Sequence, residues 1–148
     1  RRENLVAAFS RLFEFGAIPI INENDAVAVD EIVYGDNDSL SAVVATLIGA
    51  DKLVILTETD GLYTADPSVD PEAYRIAEVE EITDEIVACA SAHGTKLGTG
   101  GMMTKVHAAQ IATEAGVDTY VICGRDAHDI YRLMDGARIG THFCARRR

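Results

Sequence analysis

Residues 39–57 read SLSAVVATLIGADKLVILT, and this stretch carries the pattern that decides the fold. Its first part predicts a helix, because apolar residues recur there at helical spacing. Its last part, residues 52–57, is a short apolar run of the kind that forms a buried strand. The sequence therefore predicts a helix that leads directly into a strand. The apolar residues of the helix are Leu40, Val43, Val44, Leu47 and Ile48.

The same alternation of helix and strand extends over the rest of the chain. Residues 2–15 predict a helix that ends at Gly16, and the apolar run 17–21 predicts a strand directly after it. Such alternation favours an α/β fold with an open, mostly parallel sheet and helices on both faces. The downstream elements are predicted helices at about 83–91, 102–115 and 126–134, and a predicted strand at 119–123.

The composition describes a globular protein and excludes several classes of partner. The 148 residues are 48% hydrophobic and 25% charged, which suits one domain at residues 1–145 with a basic tail or linker remnant at 146–148. No run approaches about 18 apolar residues and the first residues lack a signal-peptide pattern, so we expect a cytoplasmic protein without membrane contact. The net charge of −11 argues against nucleic acid as a partner.

The cysteines and histidines offer no recognisable metal motif. The three cysteines are far apart and lack C-x-x-C spacing, so we expect reduced thiols that fill the core. The four histidines show no metal-ligand spacing, and surface or core roles are favoured for them. The sequence thus predicts no dedicated metal site. The residues are Cys89, Cys123 and Cys144, with His93, His107, His128 and His142.

Two polar clusters follow the predicted strand at 17–21. Residues 22–25 read NEND, and residues 35–38 read GDND just before the helix that begins near Ser39. Turn chemistry, with Asp38 or Ser39 capping the helix, would explain each cluster alone. However, ligands of open α/β sheets bind beyond the carboxyl ends of strands, and amide and carboxylate groups suit an amino-acid ligand. We therefore favour a binding site.

A third motif, TETDGLYTADP, occupies residues 57–67 at the end of the second predicted strand. A glycine and proline turn with Leu62 and Tyr63 packed beneath it would account for these residues. Its place at a strand terminus also admits a contact with a nucleotide base or ribose, although the spacing alone supports that only weakly.

The fourth motif is a glycine-rich loop, GTKLGTGGMMTK, at residues 94–105. Glycines directly before a helix let backbone N–H groups approach an anion, so the loop is typical of a phosphate site. It matches neither a Walker A loop nor a dinucleotide fingerprint. Lys105, in the first turn of the helix, is favoured as a ligand of a transferring phosphoryl group over a solvated lysine. For Lys96 a solvated position is at least as good an explanation.

Together these motifs resemble the bacterial glutamate 5-kinases of the amino acid kinase family. The motif at residues 60–67 resembles one that aspartokinases and uridylate kinases share, whereas the clusters at 22–25 and 35–38 resemble glutamate 5-kinases in particular. The resemblance implies an amino acid kinase-like three-layer sandwich that binds ATP and Mg²⁺. It also implies phosphorylation of the side-chain carboxylate of L-glutamate to L-glutamyl 5-phosphate, the first step of proline biosynthesis.

The resemblance also implies roles for particular residues. Asp25 and Asn37, with Asn22 nearby, would bind glutamate. Asp38 would orient the catalytic lysines, and Lys105 would stabilise the transferring phosphoryl group. The residues expected to contact ATP are Thr57, Glu58, Thr99, Gly100, Gly101, Met102, Met103, Thr104 and Lys105.

The chain departs from the family pattern in two respects. Glu58 stands where the family usually has Asp, which lengthens the carboxylate arm by one methylene. The family's first strand, its glycine-rich turn with a further phosphate-binding lysine, and its serine loop have no counterpart here. We therefore expect an N-terminally incomplete kinase domain with weak or no activity alone. A small C-terminal RNA-binding-like domain of many members is likewise absent from the sequence.

Other functions remain open at this level. Another amino acid kinase, acting on aspartate, N-acetylglutamate or a nucleotide, is disfavoured by the cluster at residues 22–25. A non-catalytic fragment that only binds ligand is the alternative from another class. The resemblance further implies a homo-oligomer, and it suggests L-proline as a feedback inhibitor.

Overall fold

A computed structural model describes residues 2–22, 36–92 and 101–146 of the chain. Over these ranges it contains five helices and four strands. No helix in them is both long and apolar enough to span a bilayer. The helices are α1 (Arg2–Glu14), α2 (Asn37–Ile48), α3 (Asp84–Ala92), α4 (Met102–Glu114) and α5 (Asp129–Met134), and the strands are β1 (Lys52–Thr57), β2 (Glu78–Val79), β3 (Asp118–Cys123) and β4 (Thr141–Phe143).

The four strands form one sheet in the order β1-β3-β4-β2. The β1 and β3 strands are parallel over six residue pairs, from Lys52 opposite Asp118 to Thr57 opposite Cys123. The β2 and β4 strands are also parallel, and only the contact between β3 and β4 is antiparallel. The predicted α/β fold with an open, mostly parallel sheet is confirmed.

Alanines form the contact between helices α2 and α4. Because alanine has the smallest side chain that a helix favours, two helices lined by it can approach closely. Val121 and Phe143 of the sheet join the same core and are fully buried. The α5 helix and the segment after it lie against the opposite face of the sheet, beside Tyr120. The buried alanines are Ala42, Ala45, Ala108, Ala109 and Ala112.

The opposite face carries polar side chains from three strands. His142 of β4 stacks on Tyr120 of β3, with ring centroids 4.3 Å apart, and its Nε2 lies 2.7 Å from the Asp118 carboxylate. Partial burial on its own would raise the pKa of Asp118. Hydrogen bonds from the Ala145 amide and from His142 outweigh that effect and hold the pKa below its ordinary value.

The predicted strand at residues 17–21 is wrong for the described chain. The helix before it forms and ends at Glu14, and Gly16, two residues later, has a φ of 68°, the left-handed value that favours glycine. Residues 17–22 then run without regular structure, and Ile18 and Ile20 are 89% and 99% exposed. A strand requires a hydrogen-bonding neighbour, and this segment pairs with none of the four described strands.

The region around α5 corrects a second prediction. The helix begins at Asp129, three residues later than expected, and its N-cap is His128. The Asp126 carboxylate accepts the His128 amide at 2.9 Å in a local turn, which competes with helical structure. Strand β2 escaped prediction because two residues carry no periodic signal.

Thr141 on β4 ties the motif at residues 57–67 to the sheet. Its fully buried hydroxyl accepts the Leu62 amide at 2.8 Å and donates to the Ile76 carbonyl at 2.6 Å. Gly61 lies so close that an added Cβ would stand 2.6 Å from the Thr141 oxygen. The Thr141 side chain therefore satisfies two backbone groups. Residue 61 must be glycine, because a Cβ there would collide with the Thr141 hydroxyl.

We expect Thr141→Val to lower the free energy of unfolding by roughly 2 kcal/mol or more, since two buried polar groups lose their partner at about 1–3 kcal/mol each. Chemical denaturation measures the change. Thr119→Val is the matched control, because Thr119 is equally buried but its hydroxyl reaches only the Val117 carbonyl, at 3.4 Å. Equal losses in the two variants would contradict this account of Thr141.

Candidate active site

The N-termini of α2 and α4 lie at one edge of the sheet. Each helix is joined by a short turn to the strand after it, α2 to β1 and α4 to β3, so each helix runs back along its strand. Because β1 and β3 are parallel, both helices begin beside the carboxyl ends of the two strands. This is the edge where open α/β sheets bind ligands.

Asp38 and Lys105 form an ion pair between these two helix N-termini. The Lys105 Nζ lies 3.0 Å from Asp38 Oδ2, and the side chains are only 9% and 19% exposed. A lysine in the first turn of a helix meets the unfavourable positive end of the helix dipole. Asp38 offsets that potential, and an anionic ligand in the same place would add to the effect.

Thr104 joins the pair through the same carboxylate oxygen. Its hydroxyl lies 2.7 Å from Asp38 Oδ2 and 2.8 Å from the Gly101 carbonyl, and its single proton can serve one of these acceptors at a time. The Asp38 carboxylate is thereby held from two directions. Asp38, Thr104 and Lys105 are called the carboxylate-lysine triad below. Thr104 and Lys105 follow Asp38 in the sequence by 66 and 67 positions, respectively.

Asp36, rather than Asp38 or Ser39, is the N-cap of α2. Its carboxylate accepts the Ser39 amide at 2.6 Å and the Ser39 hydroxyl at 3.0 Å. The capping explanation of Asp38 is therefore wrong, and Asp38 is left to face Lys105. Asp36 was not among the predicted functional residues, although an Asp before a helix start is a recognised capping signal.

The start of α4 has the form of an anion site. Gly101 is its N-cap, in an extended conformation without a side-chain cap, and an added Cβ there would meet nothing within 4 Å. Backbone N–H groups at such a helix start favour phosphate oxygens. Of the residues predicted to contact ATP here, Met102 is buried, Met103 is 38% exposed, and Thr104 and Lys105 belong to the triad.

The motif at residues 57–67 ends β1 at the same edge. The Thr57 carbonyl accepts the Gly124 amide at 2.8 Å, while Glu58 is exposed at the strand terminus. The Tyr63 hydroxyl donates to Asp60 at 2.8 Å, and this hydrogen bond raises the pKa of Tyr63. Leu62 is fully buried, as the packing explanation of this motif required.

The remaining predicted residues are less closely assembled. Asn37 is exposed at the start of α2 and lines a groove with Ile21, so the end of residues 17–22 lies close to it. Asn22 follows Ile21 and is exposed. Within the part of the chain that the structure describes, neither Asn22 nor Asn37 forms a hydrogen bond or an ion pair with the triad. Asp25, Thr99 and Gly100 lie outside the described residues.

Comparison with known proteins identifies the family. The model of the amino acid kinase family matches residues 1–124, most of the chain. The chain belongs to the amino acid kinase family. Solved structures of the same fold include the UMP kinase from Bacillus anthracis, with a TM-score of 0.67 at 15% identity, covering 99% of this chain and 52% of that one.

Curated amino acid kinase relatives share more of the sequence. The glutamate 5-kinase of Thermosynechococcus vestitus is 49% identical over 95% of this chain and 38% of its own length. That of Streptococcus thermophilus is 48% identical over 95% of this chain and 54% of its length. That of Clostridium perfringens is 44% identical over 99% of this chain and 56% of its length. The chain spans about half the length of these relatives.

We expect the Asp38–Lys105 pair to behave as a coupled unit in folding. Lys105→Met alone should lower the free energy of unfolding by about 3 kcal/mol, because it leaves a largely buried carboxylate without its counter-ion. The double variant Asp38→Leu with Lys105→Met should lose less than the sum of the two single variants. A double-mutant cycle by denaturation measures the coupling, with the exposed Lys52→Met as control. Strictly additive losses would contradict a coupled pair.

Proposed function

We propose that this chain forms the larger part of the catalytic domain of a glutamate 5-kinase, which transfers the γ-phosphoryl group of ATP to the side-chain carboxylate of L-glutamate. The observation that carries the proposal is the carboxylate-lysine triad at the start of two helices beside the carboxyl edge of the sheet. Identities of 44–49% to three relatives named glutamate 5-kinase support this acceptor. The UMP kinase from Bacillus anthracis shares only 15%.

In this proposal, Lys105 stabilises negative charge during phosphoryl transfer. Mg-ATP, when bound, supplies the phosphoryl group, and Lys105 balances the negative charge that develops as the bond to the leaving ADP oxygen breaks. Asp38 positions the Lys105 ammonium through the 3.0 Å ion pair. Because most of this pair is shielded from water, its effect on a phosphoryl group exceeds that of an exposed lysine.

The residues of α4 fit a triphosphate. Gly101 gives the phosphate oxygens access to the first amides of the helix, and the Thr104 amide fixes the turn by donating to the Gly101 carbonyl at 3.2 Å. Thr57 ends β1 at the same edge and Glu58 follows it, and both are proposed to contact the nucleotide. Magnesium is suited to phosphate oxygens, water and few protein ligands, so no dedicated protein site is required.

The reaction requires no general base. A glutamate side chain with an ordinary pKa of about 4.3 is already ionised at neutral pH, so its oxygen can attack phosphorus directly. A new bond forms between this oxygen and the phosphorus, and the bond to the bridging oxygen of ADP breaks. Catalysis then depends on alignment and charge stabilisation. Asn37, Asn22 and Asp25 are proposed to hold the acceptor.

Several further properties rest on the resemblance and the relatives' names. They include the place of the reaction in proline biosynthesis, a cytoplasmic location, assembly into a homo-oligomer and inhibition by L-proline. Low activity of the 148-residue chain by itself is part of the same proposal, since the chain spans 38–56% of the three relatives.

A chimera tests the proposal directly. In it, the 148-residue chain replaces the matching segment of the Streptococcus thermophilus relative, and ADP release is measured with Mg-ATP and one acceptor at a time. We expect turnover with L-glutamate and none with L-aspartate, N-acetyl-L-glutamate or UMP. Lys105→Ala should lower kcat by about 10²–10³-fold, as loss of a group that stabilises transition-state charge does.

The control variant is His107→Ala, because His107 is exposed on the same helix two residues beyond Lys105. It should leave kcat unchanged. ATP binding and circular dichroism report whether each variant is folded. A folded chimera that binds ATP but phosphorylates none of the four acceptors would overturn the kinase proposal. Turnover with UMP instead would assign the chain to another member of the family.

A further inference from the structure

A second cluster of reactive side chains lies on the polar face of the sheet, away from the carboxylate-lysine triad. Glu78 of β2 stands opposite His142 of β4 in the strand register. Cys144 follows two residues after His142, so both side chains project from the same face. The carboxylate oxygen, the imidazole nitrogen and the thiol sulfur lie within 4.8 Å of one another. Three different ligand types thus meet at one point.

Asp118 determines which nitrogen of His142 faces this point. The Asp118 carboxylate lies 2.7 Å from His142 Nε2, which requires a proton on that nitrogen. In the neutral imidazole, Nδ1 then presents its lone pair to Glu78, 3.6 Å away, and to Cys144, 4.0 Å away. A lone pair that faces a carboxylate is repelled unless a cation or a proton stands between them.

The separations are close to those of a tetrahedral zinc site. Zinc bonds of about 2.0–2.3 Å place a nitrogen and an oxygen ligand about 3.4 Å apart, and a sulfur and a nitrogen ligand about 3.6 Å apart. The observed distances of 3.6 Å and 4.0 Å require shifts of only a few tenths of an ångström. Glu78 is exposed and can move closer to Cys144.

We propose that Glu78, His142 and Cys144 bind a divalent transition metal of the zinc type, with water as the fourth ligand. Thiolate, imidazole and carboxylate are the usual zinc donors. Asp118 is a positioning residue, since a carboxylate on the second ring nitrogen is the common support of a metal-bound histidine. The metal would join β2 to β4 at the edge of the sheet.

The sequence gives no clear signal of this site, because one ligand is far from the other two along the chain and those two are only two positions apart. Glu78 lies 64 positions before His142, and the two residues meet only through the parallel pairing of β2 with β4. His142 and Cys144 are two apart, a spacing that places side chains together on a strand and not on a helix. The prediction that the histidines have no metal-ligand spacing therefore overlooked the two-residue period of a strand.

Cobalt(II) provides a direct test, since it replaces zinc and its absorption reports geometry and thiolate ligation. The 148-residue chain, reduced with a thiol-free reductant, should give tetrahedral visible bands and a thiolate charge-transfer band on addition of Co²⁺, and Zn²⁺ should abolish both. Cys144→Ser should remove the charge-transfer band. Asp118→Asn should weaken metal binding by roughly 10–100-fold, the usual effect of losing the support of a metal-bound histidine.

Cys89→Ser and Cys123→Ser are matched controls, because all three cysteines are half-buried. Both should retain the full cobalt spectrum, and circular dichroism should show that every variant is folded. Loss of the band in either control, or its survival in Cys144→Ser, would overturn the proposal. So would the absence of tetrahedral bands in the parent chain.

Discussion

The close contact between α2 and α4 is the constraint on which the candidate site depends. Five alanines, each at most 5% exposed, belong to the core that these two helices share, and their small side chains favour a close approach of the helices. Both helices run back along parallel neighbouring strands, so close packing brings their N-termini together. Asp38 can therefore reach Lys105 although 67 positions separate them.

The sequence predicted those helices and strands in which apolar residues recur at regular spacing or form a continuous run. Helix α4 begins at Met102 as expected, and β1 has the predicted bounds Lys52–Thr57. Lys105 was singled out because a glycine loop preceded it, and Asp38 because of the family resemblance. The two side chains form an ion pair, and their catalytic roles stay predictions. The substrate residues Asn22 and Asn37 were chosen by motif, and no described contact joins them to the pair.

The failures have physical causes. Residues 17–21 are apolar enough for a strand, but a strand also needs a hydrogen-bonding neighbour, and pattern alone cannot supply one. The β2 strand has two residues and gains its order from β4, which lies more than 60 positions later. The cluster of Glu78, His142 and Cys144 was not predicted for a related reason, since the pairing of β2 with β4 brings these side chains together. Sequence patterns predict structure that forms between neighbouring residues, whereas these features depend on pairing between residues that are distant in the sequence.

The buried hydroxyl of Thr141 has a consequence for the order in which the protein acquires its shape. Synthesis proceeds from the N-terminus, so Leu62 and Ile76 exist well before the residue that satisfies their backbone groups. Until β4 arrives, those two groups must remain hydrated, and β2 has no parallel partner. The segment at residues 60–76 can then reach its final geometry only after β4 has been synthesised. On the ribosome, the helices α2 and α4 with β1 can assemble first, and the side of the sheet that contains β2 closes once β4 has been made.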